Sequence, residues 1–401
     1  MSQLNPRQRE AVRYIDGPLL VLAGAGSGKT SVITRKIAYL VETCGIRASR
    51  IAAVTFTNKA AREMKERVGK LLGGNAAEGL TVSTFHQRGL KIIRTERKLL
   101  GLKNGFSIFD GQDTQSLIKD LLIQEHGSDG DQAGTIQNQI SNWKNDRVLP
   151  EQAVAGAKGP AEMLCAQAYR RYQRALKAYN ALDFDDLILL PTILFEQNPD
   201  VLEKWQNTIH YLLVDEYQDT NSSQYLLVKQ LVGVRGALTV VGDDDQSIYA
   251  WRGARPENLV QLQDDFPGLK VVKLEQNYRS TSRILKAANT LIANNAHVFE
   301  KQLWSELGYG EPLRVIRCAD ENHEAEQVVA EIIDHQLRKR TRFGDYAILY
   351  RGNHQSRLIE LALQQQQVPY HLSGGTSFFA RNEVKDIMAY LRLLVNENDD
   401  N

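Results

Sequence analysis

Three short stretches carry side chains whose types and spacing can hold and cut a triphosphate. They are Ala23-Gly24-Ala25-Gly26-Ser27-Gly28-Lys29-Thr30, Val214-Asp215-Glu216-Tyr217-Gln218-Asp219, and the run from Val241 to Arg252. In the first, Gly24, Gly26 and Gly28 allow a turn in which several backbone N–H groups face inward, at a helix N-terminus whose dipole favours an anion. Lys29 is placed to reach the β- and γ-phosphates, and the Thr30 hydroxyl to ligate Mg²⁺. The phosphate-loop pattern usually opens with glycine; here Ala23 stands in that place. In the second stretch, Asp215 can hold Mg²⁺ through water while Glu216 polarises the water that attacks the γ-phosphate. In the third, Gln246 can hydrogen-bond the γ-phosphate or that water, and Trp251, five residues on, offers a large stacking surface. The layout predicts a nucleotide-driven motor acting on nucleic acid.

Such residues work only if a scaffold delivers them together. The apolar run Leu19-Leu20-Val21-Leu22 reads as a buried parallel strand ahead of the first stretch, with a helical pattern over 31–40 behind it. Tyr211-Leu212-Leu213-Val214 is a second such strand and brings Asp215 and Glu216 to a strand carboxyl end, where ligands of open α/β sheets collect. Further strands are predicted over 51–56, 238–241 and 269–274, and a helix from Lys59 to Leu72 that stops at Gly73-Gly74. Between Phe85 and Asn207 the pattern turns mostly helical, which predicts an inserted helical subdomain. A second α/β region follows, with strand candidates Leu313–Ile316 and Tyr346–Tyr350. The short run Gln364 to Gln367 is read as a solvated helix face.

Composition bounds the answer without deciding it. The 401 residues are 42% hydrophobic, enough for two or three domains. Lys+Arg 49 against Asp+Glu 48 leaves a formal charge of +1, so affinity for nucleic acid has to come from local basic surfaces. The cysteines, Cys44, Cys165 and Cys318, are odd in number and far apart, which fits a reducing compartment and offers no zinc spacing. With no signal-peptide pattern and no membrane-length apolar run, the expectation is a cytoplasmic protein without a membrane partner.

The sequence around these motifs resembles the UvrD/Rep/PcrA group of superfamily 1 DNA helicases over essentially its whole length. Leu4-Asn5-Pro6-Arg7-Gln8-Arg9-Glu10-Ala11-Val12 is similar to the family's Q motif, which implies that Gln8 reads the adenine edge; Asn5 and Pro6 read equally as a helix start. Gln276-Asn277-Tyr278-Arg279-Ser280 is similar to motif IV, which implies that Tyr278 stacks on adenine and Arg279 reaches the γ-phosphate. The resemblance therefore implies an ATP site built from Gln8, Ala23, Gly24, Ala25, Gly26, Ser27, Gly28, Lys29, Thr30, Arg35, Tyr278 and Arg279. Of these and their neighbours, Lys29, Asp215, Glu216, Gln246 and Arg279 carry the chemistry, and Thr30 and Asp215 hold the metal.

Thr55 to Met64 and Val82 to His86 are similar to the family's motifs Ia and Ib, which imply contacts to single-stranded DNA. With the other aromatic motifs, the implied DNA contacts are Phe56, Asn58, Lys59, His86, Phe184, Tyr249, Trp251 and Arg252. Phe85 reads equally as core, and Trp251 has a buried domain-interface residue as its competing reading. The acidic residues of Leu182-Asp183-Phe184-Asp185-Asp186-Leu187 are expected to organise their loop. Asp243, Asp244 and Asp245 do not easily converge on one ion, and are expected to cap the loop and contact Lys or Arg. Two basic stripes, Arg88, Lys91, Arg94, Arg97 and Arg170, Arg171, Arg174, Lys177, the latter interleaved with Tyr169, Tyr172 and Tyr179, read either as solvated faces or as DNA-facing surfaces.

The fold that the resemblance implies is α/β: a RecA-like P-loop NTPase domain with a parallel sheet (1–84 and 201–276), an inserted α-helical subdomain (85–200), and the beginning of a second RecA-like domain (277–375), with 376–401 opening a further insertion. The segments 347–353 and Ser373 to Phe379 also match the second domain and receive no catalytic role. The family's later motifs V and VI are not in this sequence, so the chain alone is expected to bind ATP and DNA yet unwind poorly. The implied activity is ATP-dependent 3′→5′ helicase or translocase action on single-stranded DNA and ss/dsDNA junctions, with replication or repair proteins as partners and a monomer or DNA-induced dimer as the assembly. A module that binds ATP and single-stranded DNA without unwinding is the alternative; an NTPase acting on something other than nucleic acid is disfavoured by Phe56, Trp251 and Arg252.

Overall fold

Eight strands order the chain: β1 Leu19–Ala23, β2 Ile51–Thr55, β3 Thr81–Thr84, β4 Ser107–Phe109, β5 Ala181–Asp183, β6 Tyr211–Val214, β7 Leu238–Gly242 and β8 Lys270–Leu274. The computed structural model describes residues 4–126, 132–295, 299–373 and 382–396. Six of the strands form one sheet in the order β3-β2-β6-β7-β1-β8, every pair parallel. Strands β1, β2, β6 and β7 are buried at every position, the signature of a parallel sheet covered on both faces. Alternate residues feed two different cores. Leu20 and Leu22 join Val54, Leu212, Val214 and Val240 on one face, while Leu19 and Val21 join Ala53, Leu213 and Val241 on the other.

Because β6, β7 and β1 are neighbours and parallel, all three chemistry-bearing stretches leave the sheet at one carboxyl edge. This arrangement is what an open α/β sheet offers to a ligand.

Residues 85–208 supply helices and a small parallel pair, β4 with β5. Their core gathers Phe109, Ile136, Ile140, Trp143, Tyr169 and Tyr172, with the Trp143 and Tyr169 rings stacked at 5.9 Å. Inside this core Lys144 is buried between Asp183 (2.7 Å) and Asp186 (2.8 Å), and the Tyr172 hydroxyl donates to Asp183 at 3.0 Å. The helices Phe85–Glu96 and Asp186–Gln197 meet at Gly89, where an added Cβ would lie 1.8 Å from the Leu187 carbonyl oxygen.

Residues 312–391 form a second compact unit. In it the helices Glu321–Lys339 and Ser356–Gln365 pack through Ala325, Val329, Ala362, Leu363 and Val368. The strands expected over 313–316 and 346–350 are not formed among the described residues. Residues 313–316 are exposed throughout, and in 346–350 Ile348 packs against the helices while Leu349 is 92% exposed, but neither run has the neighbouring ladder that holds a strand. Residues 374–379 of the Ser373 to Phe379 segment lie outside the described residues. Among those described, no helix is long and apolar enough to cross a membrane.

Candidate nucleotide site and nucleic-acid surface

Ala23 ends β1, and Gly24 to Gly28 turn the chain into the helix Lys29–Glu42. Gly26 (φ +70) and Gly28 (φ +93) occupy the left-handed region, where a side chain is strained. The Ser27 hydroxyl donates to the Gly24 carbonyl at 2.7 Å and ties the loop on itself. Lys29 and Thr30 thus sit in the first helical turn, with its unsatisfied N–H groups beside them. Arg35 lies half-buried farther along the same helix.

Asp215 continues the ladder of β6 by donating its N–H to Val54 at 2.9 Å. Glu216 then adopts a left-handed backbone (φ 51), and its carboxylate accepts from the Lys29 ammonium at 2.8 Å and from Gln218 Nε2 at 2.9 Å. Burial, reinforced by the neighbouring Glu216 charge, pushes the Asp215 carboxyl up to about 7. The same two causes push Asp219 up to about 6. Three carboxyls therefore gather near a single ammonium, and a divalent cation would relieve that imbalance; the donor set of Thr30 and Asp215 fits one.

Beyond β7 the chain makes a short turn over Asp244–Gln246. Gln246 Nε2 donates to the Asp243 carboxylate, and the Asp243 N–H donates to Gln218 Oε1 at 3.0 Å. Gln218, 1% exposed, was not singled out by its sequence context, yet it bridges Glu216 to the Gln246 turn. Trp251 is 64% exposed, and its ring centre lies 6.4 Å from that of Tyr249. The Arg252 side chain lies outside the described residues.

The three consecutive aspartates do converge, contrary to the expectation from their spacing. Their carboxylates lie within 4.8 Å of one another and surround the Lys301 ammonium, which is 2.6 Å from Asp243, 2.8 Å from Asp245 and also paired with Asp244. Asp243 is extended and Asp244–Gln246 form a tight turn after it, and the cation on which the three carboxylates converge is a lysine, in keeping with the expected Lys contact.

Tyr278 and Arg279 reach the phosphate loop from the segment after β8. The Tyr278 N–H donates to the Gly26 carbonyl at 2.9 Å, and an added Cβ on Gly26 would lie 2.7 Å from Arg279 Cβ. Asn5 Nδ2 donates to the Tyr278 hydroxyl at 2.8 Å. Gln8 closes a capping box with Asn5 and donates from Nε2 to the Ser27 carbonyl at 2.8 Å, so its amide fastens the first helix, Pro6–Arg13, to the loop.

Phe56 is half-buried and meets the buried Phe85 edge-on at 5.4 Å, placing Phe85 in the core. Asn58 and Lys59 are exposed at the start of the helix Asn58–Leu72. Phe184, 49% exposed, stands edge-on to His86 at 5.9 Å, and burial holds the His86 imidazole below its ordinary range. The first basic stripe loses a member: Arg88 is buried with its guanidinium over Trp205, because helical spacing turns it inward. Tyr169 and Tyr172 likewise belong to the helical core rather than to a basic surface.

The UvrD/REP helicase N-terminal domain matches residues 4–267, and the UvrD-like helicase C-terminal domain matches residues 272–401. The chain is similar to ATP-dependent DNA helicase Rep of Salmonella typhimurium, 61% identical over 398 residues, which is 99% of this chain and 59% of that relative. The figures for ATP-dependent DNA helicase Rep of Escherichia coli are the same, 61%, 99% and 59%. ATP-dependent DNA helicase PcrA of Staphylococcus aureus is 45% identical over 401 residues, 100% of this chain and 55% of the relative. The chain spans less than two thirds of the length of these curated relatives, at 59% and 55%.

Proposed function

The chain belongs to the UvrD/REP helicase family, and from that membership and the geometry of its cradle we propose an ATPase that couples hydrolysis to 3′→5′ movement along single-stranded DNA. The polarity is a property carried by the family resemblance. One observation supports the coupling: a continuous chain of contacts runs from Lys29 through Glu216 and Gln218 to Asp243, at the root of the loop that bears Gln246 and Trp251. A change of partner at the phosphate end would reach Asp243 and Gln246 through this chain, at the base of the loop that carries Trp251.

In this reading Gly24 to Thr30 wrap the phosphates, and Lys29 and Arg279 add positive charge as phosphoryl transfer proceeds. Thr30 and Asp215 would hold a divalent cation, which supplies charge neutralisation on the phosphates. Glu216 accepts a proton from, or orients, the attacking water, and Gln246 orients the γ-phosphate or that water. Tyr278 stacks on adenine beside Gln8. On the other side, Phe56, Asn58, Lys59, His86, Phe184, Tyr249, Trp251 and Arg252 receive a single strand by stacking and phosphate contacts. Junctions of single and double strands, replication or repair proteins, a DNA-induced dimer and a cytoplasmic setting belong to the same proposal.

Steady-state phosphate release with and without oligo-dT tests it. Hydrolysis stimulated by the oligonucleotide is the expected result. DNA-independent hydrolysis would refute the motor, and intact DNA binding with no hydrolysis would reassign the chain to an ATP- and DNA-binding module.

A further inference from the structure

Lys301 lies outside every motif named so far, yet its ammonium engages three carboxylates at once. Its side chain is 4% exposed and contacts Asp243, Asp244 and Asp245 together. Its neighbours are engaged as well. The Phe299 N–H donates to Asp244, the Gln302 N–H donates to Glu275 at 2.9 Å, and Trp304 and Asn277 are joined through an Asn277 N–H to Trp304 carbonyl bond of 2.8 Å. Leu303 is pressed against the phosphate loop so closely that a Cβ on Gly24 would lie 2.2 Å from its Cδ2. A six-residue strap, 299–304, therefore touches the phosphate loop, the Glu275–Asn277 segment that leads into Tyr278, and the aspartate turn at once.

We propose that Lys301 is a positioning residue that fixes the Asp243–Asp245 turn to this strap, so that the nucleotide state sensed at Gly24, Glu216 and Arg279 is transmitted to Trp251. The inference rests on the proposed ATP- and DNA-binding reading and adds the part that joins the two sites. Its physical basis is the shared Asp243 carboxylate. One oxygen takes the Lys301 ammonium and the other takes Gln246 Nε2, while the backbone of the same residue holds Gln218. Moving the strap moves Asp243, and Asp243 cannot move without changing the partners of both glutamines. Three carboxylates this close repel one another, so the turn keeps its shape only while the ammonium is present.

The coupling is measurable on the full chain as the ratio of oligo-dT dissociation constants with and without a non-hydrolysable ATP analogue and magnesium, read by fluorescence anisotropy. Wild type is expected to show a ratio in the usual range for coupled sites, about 5- to 150-fold. Lys301→Met should bring that ratio to within about twofold of one while the analogue still binds. Lys301→Arg, which preserves a multi-donor cation, should restore most of it. Asp245→Asn provides a milder variant that keeps the Asp243 contact, and should give an intermediate ratio with a native circular dichroism spectrum. A wild-type ratio in Lys301→Met would overturn the proposal, as would loss of the ratio in Met and Arg variants that melt alike. A wild type that binds neither ligand would instead overturn the reading beneath it.

Discussion

The Lys29 ammonium meets the Glu216 carboxylate at 2.8 Å, so the residue that should grip the phosphates is paired with the residue that should activate water. An incoming phosphate competes for that ammonium, and Glu216 is then held by Gln218 alone among the partners described above. Lys29→Ala should lower turnover by at least about 10²-fold, the scale of one lost electrostatic stabiliser, with little change in melting temperature. Unchanged phosphate release by the purified variant would remove Lys29 from the site.

Asp215 gives the site a pH dependence of known sign. Its carboxyl, pushed up to about 7 by burial and by Glu216, binds a proton more tightly in the folded chain than in the unfolded one. Its contribution to stability is fully present below its ordinary value of 3.8 and is lost as pH rises through about 7. In the proposed site a proton and a divalent cation would compete for the Asp215 oxygens. Magnesium-dependent nucleotide affinity should fall by up to about tenfold per pH unit below neutrality. Calorimetric titrations at several pH values, compared with Asp215→Asn, decide it: equal slopes in the two proteins would contradict the assignment.

Trp251 should contribute stacking energy and little to the fold. Replacing it with alanine is expected to weaken oligo-dT binding by about 1–3 kcal/mol at fixed salt. An unchanged isotherm would show that no base rests on it.

The buried Lys144 carries a structural prediction for the helical part. Lys144→Met leaves Asp183 and Asp186 without their cation, which should cost about 3–5 kcal/mol in chemical denaturation. Adding Asp183→Asn and Asp186→Asn should recover part of that loss. If the single variant unfolds at the wild-type midpoint, the centre contributes no stability.

At Gly89 an added methyl would collide with the Leu187 carbonyl, so Gly89→Ala should destabilise by about 1–3 kcal/mol or more. A midpoint within error of wild type would mean that the two helices separate without penalty.

The sheet and the phosphate loop were legible because their signals are local. Continuous apolar runs mark buried parallel strands, and glycines spaced around Lys29 have few other uses. What escaped was held by distant partners. Lys301 meets its aspartates across a sequence separation of 57 residues for Asp244, and Lys144 meets Asp183 across 39. The clue for Lys144 was present in Asp183, Asp185 and Asp186 set among Leu182 and Leu187, since carboxylates in an apolar run need a cation. Gln218 carried no such clue. Arg88 and Tyr172 were read by spacing alone, and which side of a helix faces the core depends on what packs against it. The runs 313–316 and 346–350 have strand composition, but pairing is not a local property.

The chain has four tryptophans, and their surroundings divide them. Trp143 and Trp205 are buried, whereas Trp251 and Trp304 stand in solvent. The exposed pair sits at opposite ends of the strap and the loop it fastens. Their emission is therefore accessible to aqueous quenchers while that of the buried pair is shielded. A strand laid on Trp251 would remove quenchable light from one end, and a shift of the strap would register at Trp304. The molecule thus contains its own pair of optical reporters, separable by replacing one indole at a time.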